Sequence, residues 1–224
     1  MNDLDPTTAA RDLPPSDASV RHGVFVRRRA LVTTVLVGAV VGGALAMRGA
    51  DLAPGELEPA RGSPSWARAH YGNPDARGFK KRNIVEIDFL ARRLFVHEDA
   101  KRHFLRLERL FEARAPEYAA SVSAGTVDDW SYINRDVRGG AAKSNHSFGI
   151  AIDINALTNP LGARGDVPEE VVRQWRLEGG GWGGDWSRPD PMHFETRLTP
   201  QEIRERYSRD GTPRDWYLEQ LLEG

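Results

Sequence analysis

Residues 148–155, Phe-Gly-Ile-Ala-Ile-Asp-Ile-Asn, constrain this chain more than any other stretch. Side chains of a strand alternate between its two faces. Phe148, Ile150, Ile152 and Ile154 therefore share one face, and Gly149, Ala151, Asp153 and Asn155 share the other. Four large apolar groups on one side require a core beneath them. The other side carries one carboxylate, Asp153, between small neighbours and with open space in front of it.

The remaining composition supports such a core. Of 224 residues, 40% are hydrophobic and 28% charged, which suits one main globular domain. The net charge of −1 argues against a nucleic-acid partner, since such proteins carry a basic excess. No cysteine is present, so disulfides, thiol nucleophiles and thiolate metal sites are excluded. Any metal must be held by His, Asp or Glu.

The N-terminal part reads as an export device. Residues 1–29 are rich in Asp, Pro, Ser and Thr and end in Arg27-Arg28-Arg29, which predicts a disordered cytoplasmic tail. The run 30–47 carries no charge, and a helix of that length is roughly 27 Å long, enough for a hydrocarbon core. Arginines before it keep the N-terminus cytoplasmic. Two outcomes stay open: a transmembrane signal anchor, or a signal peptide cut near Ala44-Leu45-Ala46. Arg28-Arg29-Ala30-Leu31-Val32 also resembles a twin-arginine signal. Either way the rest of the chain is expected outside the cytoplasmic membrane. Residues 48–66 read as a Pro/Gly/Ala-rich linker, and 67–222 as the folded domain. The oligomeric state is not legible.

Within that domain, Phe104, Leu105, Leu107, Leu110 and Phe111 predict a helix interrupted at Pro116. Segment 129–135 has the content of a strand. Asp166 and Pro168 predict the start of a short helix, and 179–186 reads as a Gly-Trp loop. Asp190 to Glu195 leads into a last strand. Thr199, Pro200 and Glu202 form a helix start with capping-box spacing. Helices followed by antiparallel strands predict an α+β fold with helices packed on a small antiparallel sheet.

His146 lies in a polar turn, Lys143-Ser144-Asn145, just before the strand that carries Asp153. An imidazole and a carboxylate are suitable zinc ligands, and His193 is the best third candidate. Asp190, three residues earlier, is placed to act as a proton acceptor.

Ser144-Asn145-His146-Ser147-Phe148-Gly149-Ile150-Ala151-Ile152-Asp153 resembles the S-x-H-x-x-G-x-A-x-D pattern of zinc D-Ala-D-Ala carboxypeptidases and L-alanyl-D-glutamate endopeptidases, the VanY-type cell-wall peptidases and their phage endolysin relatives. Asp190-Pro191-Met192-His193 resembles their second motif, and Trp182-Gly183-Gly184-Asp185-Trp186 resembles a loop of the endopeptidase branch. The resemblance implies a hedgehog/DD-peptidase-like fold with zinc in a cleft on the sheet. It implies that His146, Asp153 and His193 bind Zn2+ and that Asp190 is the general base. It further implies an arginine holding a substrate carboxylate or carbonyl: Arg135, with Arg138 as runner-up. Ser144 either contacts substrate or caps the turn. Trp182 and Trp186 line the cleft or join the core, and Asp185 is a candidate to orient a ligand histidine. The expected substrate is the stem peptide of peptidoglycan. A non-catalytic module that binds wall peptides is the alternative, and the presence of Asp190 speaks against it.

Overall fold

A computed structural model describes residues 58–125, 129–137 and 139–223. The expected tail, the apolar run 30–47, most of the linker and Arg138 lie outside the described residues. Among the described residues, no helix is long and apolar enough to cross a membrane.

Helix α1 (Pro64–Tyr71) begins inside the stretch expected to be linker. The Ser63 hydroxyl accepts from the Trp66 N–H, and Pro64 stands where its missing N–H costs nothing. Trp66 is fully buried. The folded part therefore starts before residue 67, because this indole belongs to the central core.

After α2 (Phe79–Asn83) comes a hairpin of β1 (Ile84–Phe89) and β2 (Arg92–His97), with Phe89 opposite Arg92. Its two turn residues, Leu90 and Ala91, both have positive φ, as a tight two-residue hairpin demands. Leu90 is held there by burial and by its N–H donating to Glu108 Oε1 at 2.7 Å. This sheet precedes the long helices, which corrects the expected order of helices first and strands after. The fold is α+β with two small antiparallel sheets rather than one.

Helix α3 (Lys101–Arg114) buries Phe104, Leu107, Leu110 and Phe111, one stripe at helical spacing. Pro116 ends it as expected and opens α4 (Pro116–Ala124). Arg92 closes the far end of α4. Its guanidinium donates to the carbonyls of Val122, Ser123 and Gly125 and to Asp129 Oδ2. Carbonyls at a helix terminus lack the full set of intrahelical donors, and the guanidinium supplies them.

The stretch 129–135 is not a regular strand, contrary to expectation. Trp130 bridges Asp153, Tyr132 N–H donates to Phe95, and Ile133 N–H to His146. Its backbone groups thus go to three different neighbours, so no ladder forms.

The second sheet has the order β3-β5-β4, from β3 (Ala151–Asp153), β4 (Gly180–Trp182) and β5 (His193–Thr196). Phe148, Ile150, Ile152 and Ile154 all enter the core, but the regular strand is short because residues 145–148 form a 3₁₀ turn. Asp153 is buried as well, not solvent-facing. Gly180–Trp182 corrects the expected loop. A Cβ on Gly180 would stand 2.0 Å from the Trp175 ring, so glycine here admits an indole rather than loosening the chain.

Helix α5 (Glu169–Leu177) is preceded by Pro168, and Asp166 does not cap it. Asp166 Oδ1 instead accepts from Thr158 and Asn159. Helix α6 (Pro200–Arg206) has the complete Thr199–Glu202 capping box, and α7 (Asp215–Glu223) follows it. Replacing Trp66 by Ala should destabilise the domain by about 3–5 kcal/mol, the cost of emptying a fully buried aromatic site. Chemical denaturation of the two proteins measures it.

Candidate metal centre

His146 sits in the 3₁₀ turn Asn145–Phe148, which Gly149 ends in a left-handed conformation (φ 71°). Gly149 also lets the turn approach β2: its carbonyl accepts from His97 N–H at 2.7 Å, and a Cβ would lie 2.6 Å from that nitrogen. The Ser147 hydroxyl donates to the Arg135 carbonyl at 2.6 Å and accepts from the Arg135 N–H at 2.9 Å. The turn is thereby tied to the segment bearing Arg135.

Asp153 ends β3 with His193 directly opposite on β5. Cross-strand partners present their side chains on one face. The three donor atoms form a nearly equilateral triangle. His146 Nε2 lies 3.2 Å from Asp153 Oδ1, His193 Nδ1 lies 3.1 Å from the same oxygen, and the two nitrogens are 3.1 Å apart. Ligands at about 2.0–2.1 Å in a tetrahedron are separated by about 3.3 Å, so the triangle matches one face of a zinc site. All three residues are buried.

Tautomers support the same reading. His146 Nδ1 faces the Ser131 carbonyl at 2.9 Å, and a carbonyl can only accept. Nδ1 therefore carries a proton, and Nε2 is the nitrogen left to face the Asp153 carboxylate. Acceptors crowded in this way require a cation between them, either a proton or a metal. Burial pushes the Asp153 carboxyl up, but His146 and His193 outweigh it and hold the group below the ordinary carboxylate range. Burial lowers the His193 imidazolium, yet Asp153 and Glu195 raise it to about 10.

Asp190 stands in the turn before β5. Its N–H donates to the Gly183 carbonyl at 2.9 Å, and its own carbonyl accepts from His193 N–H at 3.0 Å. A Cβ on Gly183 would lie 2.4 Å from that Asp190 carbonyl, so glycine lets the two loops meet. Asp190 Oδ1 is buried and has no hydrogen-bond partner among the described residues. Burial raises the Asp190 carboxyl, and the Asp153 charge adds to this, against His193, His146 and Arg135. A carboxylate with a raised pKa beside a cation site suits proton transfer.

The half-buried Arg135 is within electrostatic reach of Asp190. Ser144 is buried and precedes the turn, but its hydroxyl makes no capping bond there. Trp186 lies over the His193 ring at 4.9 Å and is 40% exposed. Trp130, which forms an isolated bridge with Asp153, is 57% exposed. Trp182 packs on the core and donates its indole N–H to the Pro191 carbonyl at 2.8 Å. Asp185 pairs with Arg176 and orients no histidine, which corrects the expected role. The carboxylate near a ligand histidine is Glu195, which carried no assigned role from sequence: its Oε2 is 3.5 Å from His193 Nε2. The signal was its position two residues after His193 on a strand, hence on the same face.

Residues 138–196 match the family model of the D-alanyl-D-alanine carboxypeptidases, about a quarter of the chain. The match includes His146, Asp153, Asp190 and His193, and it supports a metallopeptidase related to peptidoglycan metabolism in that broad sense. No curated protein and no solved structure matches the chain.

In the metal-free protein a proton occupies the triangle, and a metal must displace it. Because the folded His193 pKa is raised to about 10, metal affinity should rise about tenfold per pH unit between about pH 7 and 9. Titration calorimetry in buffers of different ionisation enthalpy should count about one proton released. The metal-free fold should itself lose stability progressively as pH rises from about 6.5 to about 10, since the protonated His193 contribution is complete only below the ordinary histidine pKa and is gone above the folded one.

Proposed function

We propose that this chain is a zinc metallopeptidase that hydrolyses peptide bonds in the stem peptides of peptidoglycan. The observation that carries the proposal is the buried triangle of His146, Asp153 and His193 with Asp190, whose buried Oδ1 has no hydrogen-bond partner among the described residues, within electrostatic reach. A bound zinc supplies Lewis acidity, polarising an oxygen of the substrate and making water acidic near neutral pH.

The protein's own groups do the rest. Asp190 takes a proton from the attacking water and returns it to the leaving amine, which its raised pKa favours. The Arg135 guanidinium binds a carboxylate or the scissile carbonyl of the substrate through two parallel N–H groups. Its backbone, stapled to Ser147, keeps it in register with His146. Ser144 offers a hydroxyl to the substrate backbone. Trp186, packed on the His193 ring, offers an apolar surface to the substrate. A protein that only bound wall peptides would have no use for Asp190, so the hydrolytic reading is preferred.

Two bonds suit this machinery, the terminal D-Ala-D-Ala link and the L-alanyl-D-glutamate link. Asp at 190 and the Trp182–Trp186 sequence favour the second. The apolar run 30–47 supports an extracytoplasmic location, anchored or released after cleavage.

Replacing Asp190 by Asn should retain zinc and lower kcat by about 10²–10⁴-fold. His146→Ala should lose both zinc and activity. Mass spectrometry of digested muropeptides tests this and identifies the bond; release of terminal D-Ala alone would exclude the endopeptidase assignment. Arg135→Ala should raise KM or lower kcat, and Arg135→Lys should restore little, because an ammonium cannot make the paired contact. Steady-state kinetics on a defined stem peptide measures both.

A further inference from the structure

Glu195 is almost fully buried, yet it is neither one of the three metal-facing groups nor placed to act on substrate. It lies two residues from His193 on β5, so both side chains leave the same face of the sheet. Both of its oxygens already accept hydrogen bonds. Asn145 Nδ2 donates to Oε2 at 2.6 Å, and Arg197 Nε donates to Oε1 at 2.9 Å. The orientation of the Asn145 amide is set by its second contact, a donation to the Gly62 carbonyl at 2.9 Å. A carboxylate held in this way is an acceptor, and the buried group it faces is His193 Nε2 at 3.5 Å. That nitrogen has no hydrogen-bond partner among the described residues.

The cover over this group comes from the chain just ahead of α1. Gly62 has a φ of 80°, and a Cβ there would lie 3.0 Å from Glu195 Oε1. Arg61 donates to the Arg197 carbonyl at 3.1 Å and pairs with Glu202 at 2.9 Å. Arg61 and Gly62 thus form a strap over the Glu195 carboxylate and keep water from it.

We infer that Glu195 is a positioning residue. It holds a proton of His193 on Nε2, so that the proton a metal displaces is the one on Nδ1 and that nitrogen turns its lone pair to the cation site, and the Arg61-Gly62 strap keeps that arrangement buried. The inference rests on the metal reading of the His146, Asp153 and His193 triangle. Partners of this kind behind a ligand imidazole change metal affinity by about 10–100-fold.

The test titrates zinc into the metal-free, full-length protein against a chromophoric chelator. Glu195→Ala should weaken zinc binding about 10–100-fold. Glu195→Gln should recover most of it, because an amide oxygen can accept from Nε2 as a carboxylate can and the half-exposed Arg197 can turn to solvent. Arg197→Ala should stay within a few-fold of wild type, which separates the His193 contact from the surface pair. Thermal melts of the metal-free proteins identify any variant that fails to fold. Nitrogen-15 NMR of the zinc-loaded wild type is the readout that needs no variant: His193 should carry a slowly exchanging proton on Nε2. Wild-type affinity in Glu195→Ala, equal losses in the Gln and Ala variants, or a rapidly exchanging Nε2 proton would each overturn the inference. A wild-type protein that took up no zinc would bring down the metal reading first, before any variant was compared.

Discussion

The antiparallel pairing of β3 with β5 places Asp153 directly across from His193, and the candidate centre is organised around that one register. A strand slipped by one residue would turn Asp153 into the core and an isoleucine toward the cleft. Slippage is opposed by Phe148, Ile150, Ile152, Ile154 and Phe194, which all enter the same core. The hydrophobic contacts therefore hold the register, and the register brings the ligands together.

His146 and Asp190 reach the same face by turns rather than by strands. Both turns depend on glycines at close approaches: Gly149 against β2, and Gly183 against the Asp190 backbone. The two cases differ physically. Gly149 has a positive φ as well as a crowded Cβ position, whereas Gly183 is required by crowding alone. The Arg92 guanidinium fastens the end of α4 to Asp129, whose Oδ1 also accepts from the Asn155 N–H. This fixes the approach of Trp130 to Asp153 from the other edge.

Much of the site was legible because its parts are local. The alternation through Ile154 puts Asp153 on the face opposite the isoleucines, and the capping box at Thr199 is readable from three residues. Where reading failed, the deciding contacts were distant. The Gly180–Trp182 strand looks like a loop because the side chain that fills its glycine gap is Trp175, on another element. Asp185 looks like a ligand's neighbour until Arg176 captures it. The β1–β2 hairpin carries a local alternating signal in Ile87 and Phe89, then Leu94 and Val96.

The sequence by itself determined the ligand types, the absence of thiol chemistry and the strand bearing Asp153, since residue identity and short-range periodicity are enough for these. The tertiary structure alone decided that the donor atoms of His146, Asp153 and His193 lie 3.1–3.2 Å apart. It also decided that Glu195, not Asp185, stands near His193, and that the chain before α1 covers it. These are relations between residues 40 or more positions apart in several cases. Spacing along the chain carries no information on such distances until the core has closed and set the register.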